Sequence, residues 1–157
     1  MKTSKEGIDL IKQFEGCKYR SYKLAGEQYY TVGYGHTGAD VKAGYTYTRQ
    51  QIDDFLTADL EKFEKNVMKY YDDYKWTQSE FDALVSFAFN TGCIDYLVAR
   101  GVRTRDEIKA NWTRYCHDSK GDVLEGLVRR RKKELELFCS ETPVIMESTI
   151  EVIPHEK

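Results

Sequence analysis

Glu15 closes the apolar-periodic stretch IKQFE and is followed at once by Gly16. Glutamate ordinarily favours the first turn of a helix; at the last turn it meets the negative end of the macrodipole. Cover from Phe14 and neighbouring aromatics removes water from the same carboxyl. Both effects penalise the ionised form, and a carboxylic acid that keeps its proton near neutral pH can act as a general acid. An exposed residue that merely ends a helix also fits this position, so the surrounding elements have to decide.

Those elements are legible from their starts. Four capping-box patterns occur, Thr3-x-x-Glu6, Thr48-x-x-Gln51, Thr77-x-x-Glu80 and Thr104-x-x-Glu107, and each precedes a helical pattern. After the first, Ile8, Ile11 and Phe14 form one stripe, with Gly16 expected as the left-handed residue that ends the helix. After the third, Phe81, Leu84, Val85, Ala88 and Phe89 keep the spacing of an amphipathic helix. Val123, Leu124, Leu127, Val128 and Leu135 predict a final helix through DVLEGLVRRRKKELELF. Between the first two helices the period changes. GEQYYTVGYGHTG, residues 26–38, is rich in Tyr, Thr and Val with Gly at 26, 33, 35 and 38. It reads as a small, bent β-ribbon that something approaches closely. One ribbon after a single helix, then helices only, is a mostly helical α+β arrangement. Residues 140–157 hold both prolines and no helical period, and read as an acidic tail or linker outside a domain at 1–139.

With 157 residues the chain can bury one sizeable core. Its 13% aromatic content suits packing plus a groove that grips rings. The net charge of −2 is uneven, because 11 basic and 5 acidic residues give residues 100–133 a charge of +6. Such a segment suggests contact with a polyanion, whether nucleic acid, membrane or cell-wall polymer. The cysteines at 17, 93, 116 and 139 form no CxxC pair, and the histidines at 36, 117 and 155 complete no zinc spacing. No metal is expected, and reduced thiols are the default. The N-terminal MKTSKEGIDLIKQF lacks an apolar stretch of signal-peptide length, and no segment approaches the roughly 20 apolar residues of a membrane span. The expectation is a product made in the cytoplasm, without stable membrane insertion.

The residues around Glu15 resemble a known family. FEGCKYRSYKLAGEQYYTVGYGHTG is similar to the catalytic region of phage-type lysozymes, glycoside hydrolase family 24 of the lysozyme-like superfamily. The matching pieces are Glu15-Gly16, then Ser21-Tyr22-Lys23, then Thr31-Val32-Gly33-Tyr34-Gly35-His36. Downstream, FDALVSFAFNTG at 81–92 resembles the family's central buried helix and GLVRRRKKELELF at 126–138 its closing helix. The resemblance implies a lysozyme-like fold and a muramidase (endolysin) that hydrolyses the β-1,4 bond between N-acetylmuramic acid and N-acetylglucosamine in bacterial peptidoglycan. Glu15 then matches the glutamate that gives a proton to the glycosidic oxygen, and Thr31 the threonine that positions the attacking water. His36 matches a histidine at the base of the hairpin, where packing comes ahead of substrate contact. Arg130, within Arg129-Arg130-Arg131, matches an arginine that approaches the catalytic carboxylate.

One position departs from the pattern. Many members carry Asp, and some Cys, nine residues after the glutamate; here that residue is Leu24. An inverting glycosidase uses a second carboxylate as general base, and leucine cannot serve. Glu27, in an enlarged turn, is the nearest substitute, although turn carboxylates are ordinarily just solvated. The other routes are water oriented by Thr31 with a backbone carbonyl, or attack by the sugar's own 6-hydroxyl to leave an anhydro end. Tyr29, Tyr30 and Tyr34 are candidate groove walls. On an alternating strand Tyr29 and Gly33 share the face of Thr31, so Tyr29 is its better neighbour while Tyr30 and Tyr34 pack. Asn90 either caps its helix or touches substrate.

The basic segment would attract anionic wall polymer. No cofactor is implied, since proton transfer and water attack need none. The implied partners are peptidoglycan and, for export, a holin, with the enzyme a monomer and no nucleic acid expected. Two other classes stay open at this point. Leu24 favours an inactive module that only binds wall glycan, and the run Arg129 to Lys133 would suit a helical nucleic-acid binder, although no recognition-helix pattern accompanies it.

Overall fold

The computed structural model describes residues 1–141. The elements run α1 (Lys5–Glu15), β1 (Lys18–Tyr22), β2 (Thr31–Gly33), β3 (His36–Thr37), α2 (Arg49–Met68), α3 (Tyr71–Tyr74), α4 (Gln78–Thr91), a 3₁₀ turn (Ala99–Gly101), α5 (Arg105–Trp112) and α6 (Glu125–Phe138). This is the mostly helical α+β arrangement expected from the sequence. Apart from Ser140 and Glu141, the stretch read as an acidic tail lies outside the described residues. Among the described residues, no helix is long and apolar enough to cross a membrane.

α4 sits in the middle, with α1, α2 and α6 packed on it. From Ser79 to Ala88 every residue is buried, so the apolar stripe is only one side of a helix covered all round. Three of its polar residues tolerate burial because each has a partner on another element. Asp82 accepts from the Ser4 amide at 2.9 Å, Glu80 accepts from Arg105 Nε at 2.8 Å, and Ser86 donates to Glu134 at 2.6 Å. The main core gathers Ile11, Leu60, Phe81, Leu84, Phe87, Trp112 and Phe138 around it. A smaller cluster of Val32, Val41, Tyr47 and Ile52 ties the sheet to α2.

Three of the four capping boxes form with both reciprocal bonds, at Thr48/Gln51, Thr77/Glu80 and Thr104/Glu107. The first does not. α1 begins after Ser4, whose hydroxyl donates to Asp82 instead of accepting from the helix, and Thr3 gives both amide and hydroxyl to Glu64 at 2.7 Å. Carboxylates from α2 and α4 take over the start of α1, and this tertiary grip displaces the local box. The other end differs as well. Gly16 has φ 68° and ψ 163°, which is not the left-handed helical pair but an extended region open essentially to glycine alone. The chain therefore leaves Glu15 directly into β1.

The ribbon begins earlier than residue 26. β1, β2 and β3 pair in that order, antiparallel throughout, so Lys18–Tyr22 supplies the first strand. β2 has only three residues; Tyr29 and Tyr30 precede it and Tyr34 follows it, and the alternation drawn across all of them does not hold. Gly33 is required twice over, by φ +66° and because a Cβ there would lie 2.8 Å from Ile52 Cγ2. α6 starts at Glu125, later than Val123 and Leu124 implied. Those two are 56% and 43% exposed, and Val123 pairs with His117 in an isolated bridge instead.

Candidate active site

α1 brings Glu15 to a cleft whose opposite wall is α6. Arg130 Nη1 donates to Glu15 Oε2, with the carboxylate side chain 22% exposed and the guanidinium 3%. Within the Arg129–Arg131 run this is the arginine singled out from the sequence. A charge-assisted hydrogen bond of this kind fixes where the carboxyl sits at the mouth of the cleft.

Arg130 is itself held. Its Nε donates to Glu134 Oε2 at 3.2 Å, its Nη2 to the Ser86 carbonyl at 3.2 Å, and its guanidinium lies 5.9 Å from the Phe14 ring centre. Glu134 is fully buried and also accepts from Ser86 Oγ, from Trp112 Nε1 at 3.2 Å and from Arg131 Nη2 at 3.0 Å. Arg131 Nε lies 2.7 Å from Glu134 Oε1, but at an angle that makes an ion pair and no hydrogen bond. Arg131 Nη1 donates to the Tyr115 carbonyl at 3.2 Å.

Two hollows meet at Glu15. The larger, about 590 Å³, is walled by Gln13, Phe14, Asn90, Leu124, Leu127 and Arg130 among others. The smaller, about 280 Å³, is walled by Tyr34, Gly35, Thr37, Asp59, Lys62, Phe63 and Phe89. Apolar faces mixed with amide and charged groups suit an amphipathic ligand. Asn90 does not cap its helix, because α4 runs on to Thr91 and ends at Gly92 with φ 109°. Its side chain belongs to the wall of the larger hollow.

The remaining sequence candidates scatter around this cleft. Thr31 opens β2 directly across from Thr37, which lines the smaller hollow, so the two threonines are cross-strand neighbours. Tyr34 lines that hollow too, with Lys12 Nζ 5.5 Å from its ring centre. Tyr30 packs on the small core cluster, and Tyr29 is 42% exposed outside the strand. Glu27 is exposed and turned onto its own loop: its Oε1 accepts from the Leu24 amide at 3.0 Å, and its amide donates to the Leu24 carbonyl at 3.1 Å. His36 is clamped, with Nδ1 2.9 Å from Asp59 Oδ2 and Nε2 2.9 Å from Asp40 Oδ2, and its ring stacks on Phe55. Two hydrogen bonds to carboxylates, one from each ring nitrogen, describe an imidazolium.

The basic segment is not the free face that its +6 charge suggested. Arg130 and Arg131 are buried, Arg105 pairs with Glu80, and Arg103 donates to the Leu97 carbonyl at 3.0 Å. A helix that turns two of its five consecutive cations inward cannot present the whole run to a polyanion. Sequence reasoning missed Glu134, Ser86, Trp112 and Asp59. Only Glu134 had a local signal, its spacing of four from Arg130 and three from Arg131.

Residues 12–134 match the family model described as phage lysozyme. An endolysin of Lactococcus phage c2 is 41% identical over 150 residues, a span covering 88% of this chain and 60% of that relative. Among solved structures, the endolysin from Escherichia coli O157:H7 phage FAHEc1 aligns with TM-score 0.74 and 31% identity, over 91% of this chain and 96% of that one. The muramidase domain of SpmX from Asticaccaulis excentricus aligns with TM-score 0.77 and 32% identity, over 89% and 99%. The family match covers the end of α1 with its terminal glutamate, the short sheet, the buried α4 and most of α6, and the chain belongs to the phage lysozyme family.

Proposed function

We propose that this chain is a peptidoglycan-degrading glycoside hydrolase, a muramidase of the endolysin kind, which cuts the β-1,4 bond from N-acetylmuramic acid to N-acetylglucosamine. The observation that carries the reading is the position of Glu15, a carboxyl shared by both hollows and fixed by a buried arginine. In the proposed step Glu15 gives its proton to the glycosidic oxygen as the bond to the anomeric carbon breaks. Negative charge develops on Glu15 at that moment, and Arg130 is already in place to meet it. Water oriented by Thr31 attacks the oxocarbenium-like centre and loses its extra proton to solvent, while Tyr34 and Asn90 contact the sugar rings and their amides. Tyr29 offers a more open wall. Peptidoglycan as partner, action as a monomer and export through a holin belong to the same proposal.

The second catalytic group is less well supplied. Glu27 would have to leave the Leu24 amide to serve as base, and Asp59, the other carboxylate lining the smaller hollow, is engaged by His36. This shortage supports a second reading in which the sugar's 6-hydroxyl attacks and an anhydro end is released. Mass spectrometry of the released muropeptides separates the two, since reducing ends mean water attacked. Glu15→Gln is expected to keep the fold and slow clearing of a wall suspension about 10³-fold. Clearing at the parental rate would remove Glu15 as the acid.

A further inference from the structure

Glu15, Arg130, Glu134 and Arg131 form a chain of four groups whose charges alternate in sign. The far member of the cleft end is Arg130, and its guanidinium is fixed on three sides: Nη1 on Glu15, Nη2 on the Ser86 carbonyl, Nε on Glu134. A planar fork held at three points has one orientation left. We infer that Glu134, which touches neither hollow, is a positioning residue that sets both the placement and the proton of Glu15 through Arg130. This rests on the reading of Glu15 as the general acid.

Arg130 and Arg131 keep their charge at any working pH. With Glu134 between them, one buried cation is in excess when Glu15 holds its proton, and none when it has given it up. Without the Glu134 charge, two guanidiniums would face Glu15 uncompensated, which favours the ionised carboxylate and empties the acid form. The other groups that face Glu15 are Arg129 from α6, Lys62 and Asp59 from α2, Tyr34 from the hairpin and neutral Asn90 from α4. Those that face the buried end are neutral Ser86 from α4, neutral Trp112 from α5, the Tyr115 carbonyl and the Cys116 thiol beside Arg131. Asp59 is occupied by His36, so no neighbour substitutes for Glu134.

The test compares pH–rate profiles of parent and variants on the same soluble glycan strands, so that titration of the substrate cancels. Glu134→Gln keeps the shape but not the charge, and the alkaline limb of kcat is expected to move about one pH unit toward acid, with KM changed less than about twofold. Glu134→Asp keeps the charge but draws it back, so the limb should stay while kcat falls about tenfold. Glu134→Gln combined with Arg131→Met removes one charge of each sign and should return the limb toward its parental place. A limb that stays put in Glu134→Gln, with only the melting temperature lowered, overturns the inference. Should Glu134→Gln not fold, Arg131→Met carries the test: it removes a cation, the limb is expected to move toward alkali, and an unmoved limb overturns the inference. Glu15→Gln is assayed alongside. An inactive Glu15→Gln with unmoved limbs elsewhere discards Glu134 alone, whereas an active one discards the acid itself.

Discussion

Two ion clusters flank the cleft, and they are built with opposite signs. On the sheet side, the cation His36 lies between the carboxylates of Asp40 and Asp59; on the helical side, the carboxylate of Glu134 lies between the cations Arg130 and Arg131. The first sits at the rim, with Asp40 59% exposed, and the second is sealed, with Glu134 and Arg131 at 0%. Their centres respond to protons differently. Burial pulls the His36 imidazolium down, but the hydrogen bonds and charges of Asp59 and Asp40 outweigh this and hold it above the ordinary value of 6.5. The arginines do not titrate in any ordinary range. Of the two clusters, the sheet side therefore links the fold to pH through His36, while on the helical side the cation that meets Glu15 keeps its charge.

The strongest way to break this contrast is to remove the sealed carboxylate. Glu134→Leu leaves two buried guanidiniums without their partner and is expected to cost about 3–5 kcal/mol in urea unfolding at neutral pH. A loss smaller than that of His36→Gln would contradict the assignment. His36→Gln should cost less, about 1 kcal/mol, because the rim is open to water. Its sign is fixed by linkage. The folded-state His36 binds its proton more tightly than the unfolded chain, so its stabilisation is complete below 6.5 and is lost as pH climbs through the raised value. The gap between parent and variant should close on the alkaline side; a gap that widened there would reverse the picture. The smallest effect is expected from Asp40→Asn, about 0.3–0.5 kcal/mol and erased by salt, since that carboxylate is mostly solvated. A loss larger than that of Asp59→Asn would show that the outer carboxylate, not the inner one, anchors the ring.

The helices were readable because their signals are local. Thr48, Thr77 and Thr104 each find their partner three residues on, and the stripe through Phe81 and Leu84 needs only its own neighbours. The first cap failed where the deciding groups, Glu64 and Asp82, stand 61 and 78 residues away. β1 was invisible for a similar reason. In KYRSY only Ser21 is buried, so no alternation marks the strand, which is held by β2 and by the Ser21 amide on the Tyr45 carbonyl at 2.9 Å. Arg130 was legible through the family pattern and its approach to Glu15 is seen, whereas Glu134 looked like one more charge on a wet helix. What hides it from water is α4 and α5, packed there by the distant Phe87 and Trp112. Glu27 shows the limit of neighbourhood in sequence: it lies close to Leu24 along the chain, and its hydrogen bond goes to its own turn.

The sealing of Glu134 also has a thermal consequence. Water binds ions at an entropic cost, so the penalty for dehydrating them shrinks on warming, while apolar contacts gain nothing comparable. The Arg130–Glu134–Arg131 knot thus weighs more in the heat than in the cold. The inner face of α6 should be among the last surfaces to loosen as the molecule approaches melting, with the carboxyl it steadies still in register.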